Sequence, residues 1–254
     1  MPLKFKILEH TWIIKPIYMT EDAFKQPIVV IACQVFQDLF KRYTAPGMIQ
    51  NYTYLDYGLH SHPRKLNLAI RDALDGLSEP SLVILGYGLC GNGLSGIQAG
   101  LHTLLIPRAD DCIAIFLGSY ERYQREFKSE SGTYYLTKGW LESGSNPLQE
   151  YQEYVQKYGL AKANWLIDSL YHNYRRVALV AHSQEDLDTY RSKAMEVAKF
   201  CERWGMRYQE ILGSSAYFEH LIQIALLPET ADENFILVHP GGELRQDQFL
   251  RLAT

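Results

Sequence analysis

The chain has 254 residues, 47% of them hydrophobic and 21% charged, which excludes a disordered or fibrous protein and fits one large domain or two small ones. Its 29 acidic and 25 basic side chains leave a formal charge of -4, so there is no global electrostatic case for nucleic acid or an anionic membrane surface as partner. No apolar stretch reaches the roughly 18 residues that span a bilayer, and the opening MPLKFKILEH lacks the apolar core of a signal peptide, so a cytoplasmic protein is expected.

Six short runs rich in Val, Ile and Leu, each ending in Gly, Pro, Ser or His, read as buried strands. They are residues 28–33, 81–86, 103–107, 176–181, 208–212 and 235–239. Between the first two, residues 63–77 place Leu66, Ile70, Ala73, Leu74 and Leu77 on one helical stripe. The middle, 118–175, is rich in tyrosine: residues 131–146 read as a loop or lid, and 147–171 as one long helix. Residues 186–204 again carry a helical stripe, from Leu187 to Trp204, with Cys201 on its apolar side. Strand and helix alternating in this way predict an α/β fold of mainly parallel sheets with crossover helices, as two Rossmann-like lobes around a cleft. The expected division is an N-terminal lobe over 1–145, a bridging helix over 146–175 and a C-terminal lobe over 176–254, with soft boundaries.

Ligands of open parallel sheets bind beyond the carboxyl ends of the strands. On that edge the strand assignment places three of the four cysteines: Cys33 ends the first strand, Cys90 lies in the loop GYGLCGNGLSG, and Cys112 follows PRADD. Three thiolates suit Zn²⁺ or an iron-sulfur cluster with one coordination position left open, whereas a cysteine is equally at home as a small buried hydrophobe. Gly91 and Asn92, amid the glycines around Cys90, would let backbone N–H groups approach a ligand, or simply form a tight turn against a neighbour.

Asp110 and Asp111 cap a helix or move a proton, and Arg108 beside them suits a carboxylate. His60, in GLHSHP, is a candidate acid/base group, as is His182 at the end of the fourth strand. Ser119, Ser214 and Ser215 are helix caps or anion contacts, and Tyr134, Tyr135 and Trp140 either pack or close over a ligand. No GxSxG elbow supports a serine hydrolase.

The runs YGLCGNGLSGIQAG, IPRADDCIAIFLGSYERY and GTYYLTKGW, together with Cys33, resemble the family catalogued as domain of unknown function 1638, over about residues 28–220. That resemblance implies a cytosolic protein of anaerobic microbes linked to one-carbon or corrinoid methyl-transfer metabolism. A corrinoid or redox protein would then be a partner. By architecture alone, dispersed thiols at strand ends are also similar to quinolinate synthase, whose three cysteines hold a four-iron cluster.

The leading expectation is therefore a lyase- or transferase-type metalloenzyme. Its Cys33, Cys90 and Cys112 would hold a 4Fe-4S cluster whose open iron acts on a small anionic or thiol substrate. One alternative keeps the ligands and places Zn²⁺ there for methyl transfer. The other is non-catalytic: a two-lobed ligand-binding or metallocofactor carrier protein, with an oligomer allowed in every case.

Overall fold

A computed structural model describes residues 26–251. The opening segment read for a signal peptide lies outside the described residues, as do the outer ends of both expected lobes. The elements run in the order β1 (Ile28–Cys33), α1 (Gln37–Tyr43), β2 (Asn51–Leu55), α2 (Pro63–Asp75), β3 (Leu82–Gly86), β4 (Ile97–Gln98), β5 (Thr103–Pro107), α3 (Cys112–Leu117) and α4 (Tyr120–Ser129). The second half continues with β6 (Thr133–Leu136), α5 (Lys138–Ser143), α6 (Pro147–Tyr158), α7 (Leu160–Tyr171), β7 (Arg176–Ala181), α8 (Gln184–Cys201), β8 (Arg207–Leu212), α9 (Ala216–Leu226), β9 (Phe235–Val238) and β10 (Glu243–Leu244).

The fold is mixed α/β. A five-stranded sheet has the order β2-β1-β3-β5-β9, a three-stranded sheet the order β6-β7-β8, and β10 pairs with β4. Neighbours are parallel in the first two sheets except β9, which runs antiparallel to β5, and the β10–β4 pair is antiparallel as well. All six sequence-read runs are strands. In the central strands the continuous apolar character follows from burial on both faces: Val30, Ile84 and Leu105 enter one core, while Ile31, Val83 and Leu104 face α2 on the other side; β8 is the exception, with mostly exposed or half-buried side chains.

The first of these cores also takes in side chains of α1, α3 and α9, together with Ala178 and Val180 of β7 and Ile211 of β8. The two larger sheets thus share one buried cluster. Beyond the three-stranded sheet a third cluster gathers Ile167, Tyr171, Leu187, Val197 and Cys201. Cys201 is fully buried there, as its place on the apolar stripe implied.

The tyrosine-rich middle differs from its sequence reading. The expected loop at 131–146 contains strand β6 and helix α5, and the expected single helix over 147–171 is broken in two at Gly159. Gly159 takes φ 78°, a left-handed value that ends α6 and lets α7 fold back against it. The pair packs beside α8 on the three-stranded sheet, so the bridging helix expected over 146–175 is a helical hairpin. Asn146 caps α6 through Gln149 N–H at 3.3 Å, ahead of Pro147 in the first turn.

Arg176, the first residue of β7, is buried to 3% exposure. Its guanidinium donates to Thr133 Oγ1 at 2.8 Å, Gln209 Oε1 at 2.7 Å and Glu126 Oε2 at 3.1 Å, tying all three strands of the smaller sheet to α4.

Candidate functional site

At the carboxyl edge of the five-stranded sheet lies a narrow cavity that opens to solvent. Cys33 reaches it from the end of β1, Cys90 from the loop after β3, and Cys112 from the first turn of α3. The strand-end argument therefore brought the three thiols to one place. Val35, Phe36, Tyr87 and Trp140 supply most of the remaining wall, with Asp56, Tyr57 and His60 completing it. No Lys or Arg side chain is among the lining residues.

The loop carrying Cys90 is shaped by backbone constraints. Leu89 N–H donates to Ala109 O at 2.8 Å and Cys90 N–H to Asp110 O at 3.0 Å, which lays the loop along the segment entering α3. Gly88 makes that approach possible, because a Cβ there would lie 2.8 Å from the Asp111 backbone. Cys90, Gly91 and Asn92 then follow at φ 48°, 62° and 70°, three left-handed residues in succession. For Cys90 and Asn92 that conformation costs about 1–2 kcal/mol each, a strain of the kind found at ligand sites.

The opposite wall comes from the second half of the chain. Trp140, on α5, stands edge-on to the His60 ring at 5.7 Å between centroids, and its indole N–H donates to His60 Nε2 at 3.4 Å. An indole only donates, so Nε2 must accept. His60 Nδ1 correspondingly carries the proton and donates to Tyr57 O at 2.5 Å. Beside Trp140, an ion pair between Lys138 and Asp38 clips α5 to α1.

Burial dominates the electrostatics of the cavity. It pushes the Cys33 thiol up to about 11 and that of Cys90 up to about 12, and raises Cys112 well above its ordinary value. Neighbouring acids, Asp56 for Cys33 and Asp111 for the other two, act in the same direction. All three are thiols, not thiolates, at neutral pH. Tyr87, 3% exposed, is likewise held in its protonated form by burial, and its hydroxyl has no hydrogen-bond partner.

Although the three cysteines face one cavity, no group of three or more His, Cys, Asp or Glu among the described residues is arranged to hold a metal ion. They come from three separate elements and do not form a ligand set. This overturns the expected metalloenzyme: the iron-sulfur cluster, the zinc alternative and the methyltransferase reading all required Cys33, Cys90 and Cys112 as ligands, and a metallocofactor carrier is likewise left without a site for its metal among the described residues. The small anionic or thiol substrate goes with them, because it was to sit on the open metal position.

Most other candidates lie elsewhere. Asp111 is the cap of α3, accepting from Ile113 N–H at 2.8 Å and from Tyr123 OH at 3.2 Å, and burial raises its carboxyl. Asp110 lies nearby with its side chain partly open to solvent; the desolvation that remains raises it and Arg251 opposes the shift. Arg108 donates to the backbone of Glu233 and Leu250, away from the thiols. Ser119 caps α4, Ser214 accepts from Ala216 N–H, and Ser215 donates to Glu219 at the start of α9. Tyr134 donates to Ser145 O among the aromatics of the outer core, and Tyr135 packs against the shared core. His182 borders a second, solvent-open cavity with Arg42, Lys138 and Asp186, its ring 4.7 Å from Phe116, and burial holds it down to about 4. Among the described residues no helix is long and apolar enough to cross a membrane.

A family model described as "Protein of unknown function (DUF1638)" matches residues 54–222. The chain belongs to that family. The DUF1638 match takes in every lining residue of the cavity except Cys33, Val35 and Phe36, which lie ahead of it. No curated protein and no solved structure matches the chain, so the analogy to quinolinate synthase has no structural support.

Val35, Phe36, Asp56, Tyr57 and Tyr87 are the wall residues that sequence reasoning passed over. Tyr87 directly follows β3, the position from which strand-end side chains reach a ligand, so a signal for it existed.

Proposed function

We propose that this DUF1638 protein binds a small organic molecule in the thiol-lined cavity, using the side chains as a shaped apolar wall. The observation that carries the reading is the cavity's composition and place. It is an apolar pocket at the carboxyl edge of β1 and β3, with a strained loop on one side and Trp140 on the other. Protonated thiols contribute soft, weakly polar surface to such a wall. We further read the five-stranded and three-stranded sheets as two lobes, with the cavity at their junction, since Trp140 and α5 follow β6 of the smaller sheet.

The test is ligand-observed NMR with a mixture of small neutral aromatic and aliphatic compounds, on the parent, Cys33→Met, which fills the cavity, and Trp140→Ala, which opens it. Compounds that bind the parent should lose their signal with Cys33→Met. An absence of binding by every compound, or binding that both variants leave unchanged, would overturn the proposal.

A further inference from the structure

Resting on that reading, we infer that the cavity selects a neutral ligand bearing a hydrogen-bond acceptor, such as a ketone or amide carbonyl on an apolar body, and that Tyr87 is the residue that recognises it. Several polar groups around the cavity are already committed. Trp140 N–H is spent on His60 Nε2, His60 Nδ1–H on the Tyr57 carbonyl, and Asp56 Oδ1 accepts from Gly58 N–H at 2.7 Å. Against these, the Tyr87 hydroxyl is buried without a partner. A buried, unmet donor carries a desolvation cost that a ligand acceptor would remove on binding.

The sign of charge is set by the same wall. No Lys or Arg lines the cavity, while Asp56 does and Asp111 acts on two of its thiols. A carboxylate or phosphate entering it would lose its water without gaining a counter-charge. A neutral carbonyl loses less and gains the Tyr87 bond. The thiol S–H groups can add weak donors along the same acceptor.

The experiment titrates toluene, acetophenone and benzoate at pH 7.5 and follows the indole N–H resonance of Trp140. These probes share a ring and differ in acceptor and charge. Acetophenone should bind at least about tenfold more tightly than benzoate. Tyr87→Phe should weaken acetophenone about five- to tenfold, the loss of one neutral hydrogen bond, and leave toluene unchanged. Benzoate binding as tightly as acetophenone would overturn the inference. So would acetophenone affinity that Tyr87→Phe does not alter, which would mean that an ordered water alone satisfies the hydroxyl. If toluene binds and acetophenone has no advantage, only this inference fails. If none of the three probes binds, the small-molecule reading of the cavity fails with it.

Discussion

Arg176 and Tyr87 are both polar, both 3% exposed, and both at the end of a strand in a parallel sheet, yet their surroundings are opposite. Arg176 opens β7 and has three elements donating acceptors to it: Thr133, Gln209 and Glu126. Tyr87 follows the last residue of β3 and has none. A buried charge left unpaired costs far more than a buried hydroxyl, so the fold had to satisfy the first, whereas it tolerates the second. The amino end of the smaller sheet is therefore built for stability. The carboxyl end of the larger one keeps a donor in reserve, on the side where parallel sheets bind ligands.

The largest expected effect breaks the satisfied centre. Arg176→Met should lower stability by about 2–4 kcal/mol, since it removes the bond that buried Thr133 Oγ1 accepts and leaves half-buried Glu126 without its partner, while exposed Gln209 can turn to water. Glu126 keeps some contact with water, which holds the loss below that of a fully buried pair. Urea denaturation would show a lower midpoint, and an unchanged midpoint would mean that the network carries no net stability.

A second effect comes from the cavity's thiols. Their folded-state pKa values lie above the ordinary 9.0, so between 9 and the folded value the unfolded chain has released a proton that the folded chain still holds. Stability is then complete below pH 9 and falls as pH rises toward 11 for Cys33 and 12 for Cys90. For Cys33 alone this is on the order of 2–3 kcal/mol. Cys33→Val removes that ionisation and should make the alkaline limb shallower, as followed by thermal denaturation from pH 8 to 11. An identical pH profile in the variant would show that burial of this thiol does not shift its titration.

How much of this could be read from sequence depended on whether one segment carried its own signal. β1 and β7 are legible because burial on both faces leaves an unbroken apolar run. β2, NYTYL, was missed because it is an edge strand with mostly exposed or half-buried side chains and no such run. β6 was hidden among tyrosines whose partner strand, β7, comes about forty residues later in the chain, so only the tertiary pairing reveals it. The helix break at Gly159 was marked by the glycine itself. At the site, strand-end logic brought Cys33, Cys90 and Cys112 to one edge, while His60 and Trp140, singled out on other grounds, prove to line the same cavity. It could not locate the unmet hydroxyl of Tyr87, because lacking a partner is a property of everything that surrounds a group. Nor could it tell three thiols facing one cavity from three arranged as ligands, since that distinction is one of side-chain geometry.

The smallest effect sharpens the comparison most, since it measures the reserved donor directly. Tyr87→Phe deletes one oxygen and keeps the ring in its place among buried neighbours of the outer sheet face. At Arg176 any such deletion removes a satisfied bond. At Tyr87 it removes a desolvated hydroxyl that bonds to nothing, so stability should rise, by about 0.5–1 kcal/mol, instead of falling. The urea midpoint should increase with no change in slope, because the surface exposed on unfolding is nearly the same. A fall of about 1 kcal/mol would mean that the hydroxyl is already bonded in solution, and the cavity would then hold no free donor for a ligand. A stabilised variant that also binds acetophenone less well would instead show stability given up at this one atom for recognition, the inverse of what Arg176 does for the smaller sheet.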